Sequence, residues 1–171
     1  MNNNMNVHFS SLSNEWQTPP ATFKEYDELF HFELDAAATK ENALCPLFYT
    51  KEDDDLQQDW TGKGNVWLNP PYGRIIGKFI RKAYEESLKG ATIVCLIPSR
   101  TDTKYFYDYC LKYGHIRFFR GRLKFDNRCL PSWKSDGSHK KTPAPFPSCM
   151  VIFGGSPEVL DILKESGRLH L

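Results

Sequence analysis

The hydrophobic positions of this chain follow two periods that alternate along its length. Residues 91–97 (Ala-Thr-Ile-Val-Cys-Leu-Ile) form a continuous apolar run of strand length, which reads as a strand buried on both faces. Val66-Trp67-Leu68 and residues 149–153 (Cys-Met-Val-Ile-Phe) are shorter runs of the same kind. Phe32-Glu33-Leu34-Asp35 alternates and reads as the first core strand, and Leu47-Phe48-Tyr49-Thr50 and Ile116-Arg117-Phe118-Phe119 add two more. Between these strands the period becomes that of a helix. Phe23, Tyr26, Leu29 and Phe30 share a face over residues 21–30; Ile76, Phe79, Ile80, Ala83, Tyr84 and Leu88 share one over residues 76–88, with Gly90 as the stop. Residues 104–112 and 157–164 are the remaining helical segments. Thr18, just ahead of Pro19 and Pro20, is placed to cap the first helix, and Thr101 or Thr103 the third. Strands alternating with helices predict an α/β sandwich.

One strand ends abruptly. Val66-Trp67-Leu68 runs into Asn69-Pro70-Pro71-Tyr72-Gly73, and two successive prolines forbid both ladder donation and helix. The chain must leave the sheet at Asn69, presenting an amide and an aromatic ring at the carboxyl end of a strand, the edge where open α/β sheets bind ligands. The Asn69 side-chain oxygen and the Pro70 carbonyl are acceptors, and Pro71 offers no competing donor. Together they can hold both hydrogens of a planar exocyclic –NH2. Tyr72 offers a ring on which a flat base can stack, a contact of about 1–3 kcal/mol. These are the parts of a clamp for a nucleobase amine rather than of a proton shuttle.

Asn69-Pro70-Pro71-Tyr72 resembles the catalytic motif of amino-methyltransferases that use S-adenosylmethionine. More of the chain resembles the phage-type (Dam-like) DNA N6-adenine methyltransferases, through Glu15-Trp16-Gln17-Thr18-Pro19, Leu34-Asp35-Ala36-Ala37-Ala38-Thr39, Gln58-Asp59-Trp60, Pro98-Ser99-Arg100-Thr101-Asp102-Thr103, Arg120-Gly121-Arg122-Leu123-Lys124-Phe125 and Ala144-Pro145-Phe146-Pro147-Ser148. These segments run in order over about residues 14–153. The resemblance implies a Rossmann-like methyltransferase fold: a mostly parallel sheet of about seven strands, one of them antiparallel, with helices on both faces. It implies methyl transfer from S-adenosylmethionine to the N6 of an adenine flipped out of DNA. Asn69, Pro70, Pro71 and Tyr72 would be catalytic. Trp16, Thr18, Asp35, Ala36, Ala37, Asp54, Asp59, Trp60 and Asn69 would hold the cofactor, and Tyr72, Arg100, Arg120, Arg122 and Lys124 the DNA. In this reading Asp35 accepts from the cofactor's α-ammonium or from nearby backbone N–H groups, Asp59 accepts from the cofactor's adenine amine, and Trp60 covers the adenine ring. The usual glycine-rich cofactor turn is absent: Ala36-Ala37-Ala38 stands in its place, so that turn must be built from ordinary dihedrals. An acid after the second strand should grip the ribose; Asp53, Asp54 and Asp55 crowd the place, and Asp54 is the expected one.

Charge adds direction. The net charge is +1, but residues 24–59 hold eleven acids and three bases, whereas residues 112–141 hold nine bases and two acids. Such asymmetry fits a polyanion partner for the second half, or two solvated faces that offset each other. Residues 126–143 lack periodicity and form a long loop suited to substrate contact. Residues 1–13 read as a flexible tail, and residues 14–171 as one domain. Mean hydropathy of −0.52 and the lack of a long apolar run argue against a membrane-spanning helix. Five widely spaced cysteines with no Cys-x-x-Cys pair argue against a zinc site and for reduced thiols. No metal is expected. The resemblance implies action in the cytoplasm of a bacterial host, from a phage or prophage gene. Two alternatives share the clamp or the fold: methylation of another amine (cytosine N4, RNA adenine or glutamine), and a non-catalytic DNA-binding module.

Overall fold

The computed structural model describes residues 16–125 and 143–171. The tail over residues 1–13, and the expected substrate-contact loop apart from its last residue, lie outside the described residues. Within them, α1 (Pro20–Phe30) leads to β1 (Phe32–Asp35), β2 (Leu47–Phe48) and β3 (Asn65–Leu68). Then come α2 (Ile76–Leu88), β4 (Ile93–Pro98), a π-wound turn Phe106–Cys110 that continues into α3 (Leu111–Tyr113), β5 (His115–Phe118), β6 (Ser148–Phe153) and α4 (Pro157–Glu165). The sheet order is β2-β1-β3-β4-β6-β5. Neighbours from β2 through β4 are parallel, and β6 is antiparallel to both β4 and β5. The described residues therefore give six strands where about seven were expected, with the expected single antiparallel strand.

Burial follows the sequence pattern. Every residue of β4 and β6 is buried, as continuous apolar strands at the centre of a sheet must be. From α2, Ile76, Phe79, Ile80 and Ala83 are buried, the stripe that 3.6-residue spacing predicts, and the helix packs against β4 and β6. Phe23 of α1 meets Phe32 and Trp67 at ring distances of 5.6 and 5.2 Å, fastening that helix to β1 and β3. Gly64 opens β3 at φ +74°, where a Cβ would lie 2.6 Å from the Glu33 side chain, so the close approach of β3 to β1 requires glycine.

Two capping expectations fail. The cap of α1 is Pro19, whose side chain has no hydrogen-bonding group, and the Thr18 hydroxyl accepts from Asn69 instead. The Thr103 hydroxyl donates to the Arg100 carbonyl at 2.7 Å instead of accepting from a helix.

A buried carboxylate ties the segment before β3 to the end of α2. Glu86 accepts from Lys82 and Lys89, each at 2.9 Å, and from the Trp60 backbone N–H at 3.1 Å. Burial pushes its pKa up, but the hydrogen bonds from Lys89, Lys82 and Trp60 outweigh that and hold it below the usual glutamate range. The stabilisation is therefore present above the unfolded glutamate pKa and is lost as pH falls through the lower folded value. Glu86→Gln should lower unfolding stability at pH 7 by about 1–3 kcal/mol. Urea titrations of both proteins check this, and their difference should shrink on acidification below the glutamate range.

Candidate active site

The site lies where the strand order reverses. From β1 the chain turns to β2 on one side, and from β3 to β4 on the other. Loops that leave in opposite directions open a crevice between the carboxyl ends of β1 and β3. Asp35 pairs with Trp67 across these strands, and the Ala36 N–H donates to the Trp67 carbonyl at 3.0 Å. Asn69 comes two residues after Trp67, so Asp35 and Asn69 flank the crevice from adjacent strands.

The Asn69 carboxamide is fixed by its neighbours. Its Nδ2 donates to the Trp16 carbonyl and to Thr18 Oγ1, the latter at 3.0 Å. Both amide hydrogens are thereby used, which assigns the other atom as oxygen. Oδ1 accepts from the Tyr72 hydroxyl at 2.7 Å and keeps one lone pair for a ligand. The Pro70 carbonyl accepts from no group among the described residues. Asn69 Oδ1 and the Pro70 carbonyl are thus two acceptors with spare capacity, with no proline N–H to compete.

Tyr72 departs from expectation. Its ring is buried, edge-on to Phe125 and Phe146 at 6.2 and 5.6 Å, so neither face is open to a base. Its hydroxyl lies 2.7 Å from Asn69 Oδ1 and 3.1 Å from the Leu96 carbonyl, sharing one hydrogen between them. Burial raises its pKa well above the tyrosine norm, which keeps it a neutral donor. Trp16 completes the aromatic cluster, 5.5 Å from Phe125 and 5.0 Å from Phe146, with its ring half-buried. The Tyr72 hydroxyl thus holds the Asn69 amide, and its buried ring is not open for a base to stack on.

Asp35 is buried, with Oδ2 accepting from the Leu44 N–H at 3.1 Å and Oδ1 without a partner among the described residues. Burial raises its pKa to about 6, against the nearby backbone N–H groups of Leu44 and Ala37, which lower it. Ala36 is buried and Ala37 half-buried, and neither has a positive φ, so the turn without glycine does use ordinary dihedrals. Ala38 N–H closes the turn onto the Tyr49 carbonyl at 2.9 Å.

The other acids separate. Asp53 folds back on Thr50, accepting from its N–H at 2.9 Å and its hydroxyl at 2.8 Å. Asp54 is exposed at φ +54°, the end of that turn. The Asp59 carboxylate is exposed and accepts from the Thr61 hydroxyl at 2.6 Å, while the Tyr49 hydroxyl reaches the Asp59 carbonyl at 3.4 Å. Trp60 does not cover a ligand ring. It is fully buried, its Nε1 donates to the Asp55 carbonyl, and Lys82 of α2 lies 5.0 Å over its ring.

The cations also divide. Arg100 donates to the Tyr72 carbonyl at 3.3 Å, touching the clamp segment directly. Arg120, Arg122 and Lys124 are exposed, while Phe125 beside them is buried against Tyr72. Arg117 turns inward to Glu25 and the Tyr26 hydroxyl at 2.7 and 3.0 Å and serves the fold. Among the described residues there is no group of three or more His, Cys, Asp or Glu side chains that could hold a metal, and no helix long and apolar enough to cross a membrane. The carbonyl of Trp16 and the hydroxyl of Tyr72, which hold the amide, had no signature in the sequence: one is backbone, and the other was read as a ring.

A carboxamide locked at the end of one parallel strand, beside a buried acid on the next, makes this the candidate ligand site of a mixed α/β sheet. The family profile described as DNA N-6-adenine-methyltransferase (Dam) matches residues 7–156, and the chain belongs to that family. It is 36% identical over 92 residues to the DNA N-6-adenine-methyltransferase of Escherichia phage T1, covering 53% of this chain and 38% of that protein. It is 32% identical over 140 residues to the protein of the same description from Haemophilus phage HP1, covering 81% and 77%. A third relative, the putative methyltransferase YfdM of Escherichia coli K12, is 37% identical over 67 residues, covering 36% of this chain and 74% of that one.

Tyr72→Phe keeps the ring and removes the bond to Asn69. Stability should fall by about 1–3 kcal/mol as an acceptor loses its donor. Methyl-transfer kcat should fall roughly 10–100-fold as the amide loses its orientation. Denaturant unfolding and steady-state kinetics measure the two effects separately, and an unchanged kcat would remove Tyr72 from the positioning role.

Proposed function

We propose that the protein transfers a methyl group from S-adenosylmethionine to the exocyclic N6 of adenine in DNA, within a Rossmann-like methyltransferase arrangement. Membership of the Dam family supports adenine N6 methylation, and the phage T1 and HP1 relatives bear that description. The observation that carries the mechanism is the Asn69 amide, held so that one lone pair of Oδ1 is available beside the spare Pro70 carbonyl.

The cofactor fits the chain's own chemistry. The Asp35 Oδ1 is buried and lacks a partner among the described residues, an expensive state that a cationic α-ammonium would relieve. Asp35, Ala36 and Ala37 would hold the methionine end with Trp16 and Thr18 close to Asn69. The exposed Asp54 and Asp59 would serve the adenosine end. When bound, S-adenosylmethionine supplies an electrophilic methyl on a sulfonium sulfur, so the protein has chiefly to place the nucleophile. Asn69 Oδ1 and the Pro70 carbonyl accept the two N6 hydrogens, turn the nitrogen lone pair out of the base plane and stabilise the positive charge that develops there. The target base is inaccessible inside a duplex and is taken out of the stack. Arg100, Arg120, Arg122 and Lys124 contact the DNA. The phage relatives support action inside a bacterial host cell.

Digestion of treated DNA to nucleosides, followed by mass detection, should show N6-methyladenine; N4-methylcytosine would overturn the assignment. Asn69→Ala should reduce kcat by at least about 100-fold, with calorimetric cofactor affinity retained. Equal loss of both would count against the clamp. Asp35 supplies a pH test. Its pKa of about 6 without ligand lies above the ordinary aspartate value, and a cationic ligand requires the ionised form. Cofactor affinity should therefore be steady above pH 7 and fall up to tenfold per pH unit below about 6. Asp35→Asn should bind weakly and without that dependence.

A further inference from the structure

Beside the clamp lies a groove of about 450 Å³ between the start of α2 and the segment after β4. Five of its lining residues are cations, Arg74, Lys78, Arg81, Arg100 and Lys104, against one acid, Asp108. We infer that this groove binds backbone phosphates of the DNA strand whose base enters the clamp, with Arg74, Lys78 and Lys104 as the principal contacts. The inference rests on the DNA-methylation reading and extends it to a surface that supplies affinity without sequence information.

The charge of this wall is one-sided and exposed. Lys78 and Arg81, three residues apart, share one face of α2, and Arg74 lies in the turn just ahead of that helix. Like charges at that spacing repel. The positive end of the helix dipole adds to the cost, and the first turn of α2 contains no acid. Arg81 has a local partner, Glu85, at 2.7 Å. Arg74, Lys78, Arg100 and Lys104 have no ion pair among the described residues. Across the groove, Arg100 donates to the Tyr72 carbonyl, so the basic wall is joined to the segment that orients Asn69. A strand passing along the groove thus arrives at the clamp with its backbone already neutralised.

The test is a salt titration of DNA binding with the full chain and a duplex of random sequence. The Arg74→Ala/Lys78→Ala double variant should bind roughly tenfold or more weakly, with the slope of log K against log salt reduced by about 2, one for each lost phosphate contact. Its KM for DNA should rise, with thermal stability and calorimetric cofactor affinity retained. Arg74→Lys/Lys78→Arg, which keeps both charges, should restore the slope. Lys164→Ala, which removes an exposed cation on α4, should leave it unchanged. An unaltered slope and KM in the double variant would overturn the proposal. Absence of N6-methyladenine from DNA treated with the parent protein would instead overturn the activity, with the salt result independent of it.

Discussion

A carboxamide can make four hydrogen bonds, and at Asn69 three are made by the protein itself. Everything else about the site depends on that restriction. The Trp16 carbonyl and Thr18 hydroxyl take the two hydrogens, and the Tyr72 hydroxyl takes one oxygen lone pair. The remaining lone pair is the only direction in which the amide can still act. Three separate parts of the chain must fold to produce it: the lead-in to α1, the loop after β3, and the aromatic packing from beyond β5.

The sheet brings these parts together through its connectivity. Because β1 and β3 are adjacent but feed loops to opposite sides, the space between their ends stays free of crossing chain. Asp35 borders this space at a cost, a carboxylate oxygen buried without a partner among the described residues. The neighbouring Glu86 shows what an acid of structural purpose looks like in the same fold: it is equally buried, but its charge is met by Lys82, Lys89 and a backbone N–H. Both oxygens of Glu86 are thus met by donors, whereas at Asp35 only Oδ2 is, by the Leu44 N–H.

Much of this was legible in the sequence, and the reasons differ by element. β4, β6 and α2 were readable because burial on both faces, or along one stripe, leaves a pattern that no other structure shares. The proline pair after Leu68 dictated where β3 must release Asn69. The roles of Tyr72 and Trp60 were not readable. Whether an aromatic ring faces a ligand or a core depends on what packs beside it, and Phe125, Phe146 and Lys82 come from distant segments. The same limit applies to Thr18, which has the right position for a helix cap but whose hydroxyl meets a side chain from 51 residues away. Arg74 and Lys78 leave no signal in block charge, because what gathers them into one groove with Arg100 and Lys104 is the tertiary fold.

The Ala144 N–H donates to the Leu123 carbonyl at 2.8 Å, closing a neck just before Phe125 and Phe146 reach the clamp. Chain spliced beyond that neck begins and ends at fixed points, so its length costs little: a doubling adds only about 0.6 kcal/mol of closure entropy. A lineage could therefore lengthen or shorten the chain between these two points while the sheet and its chemistry stay the same.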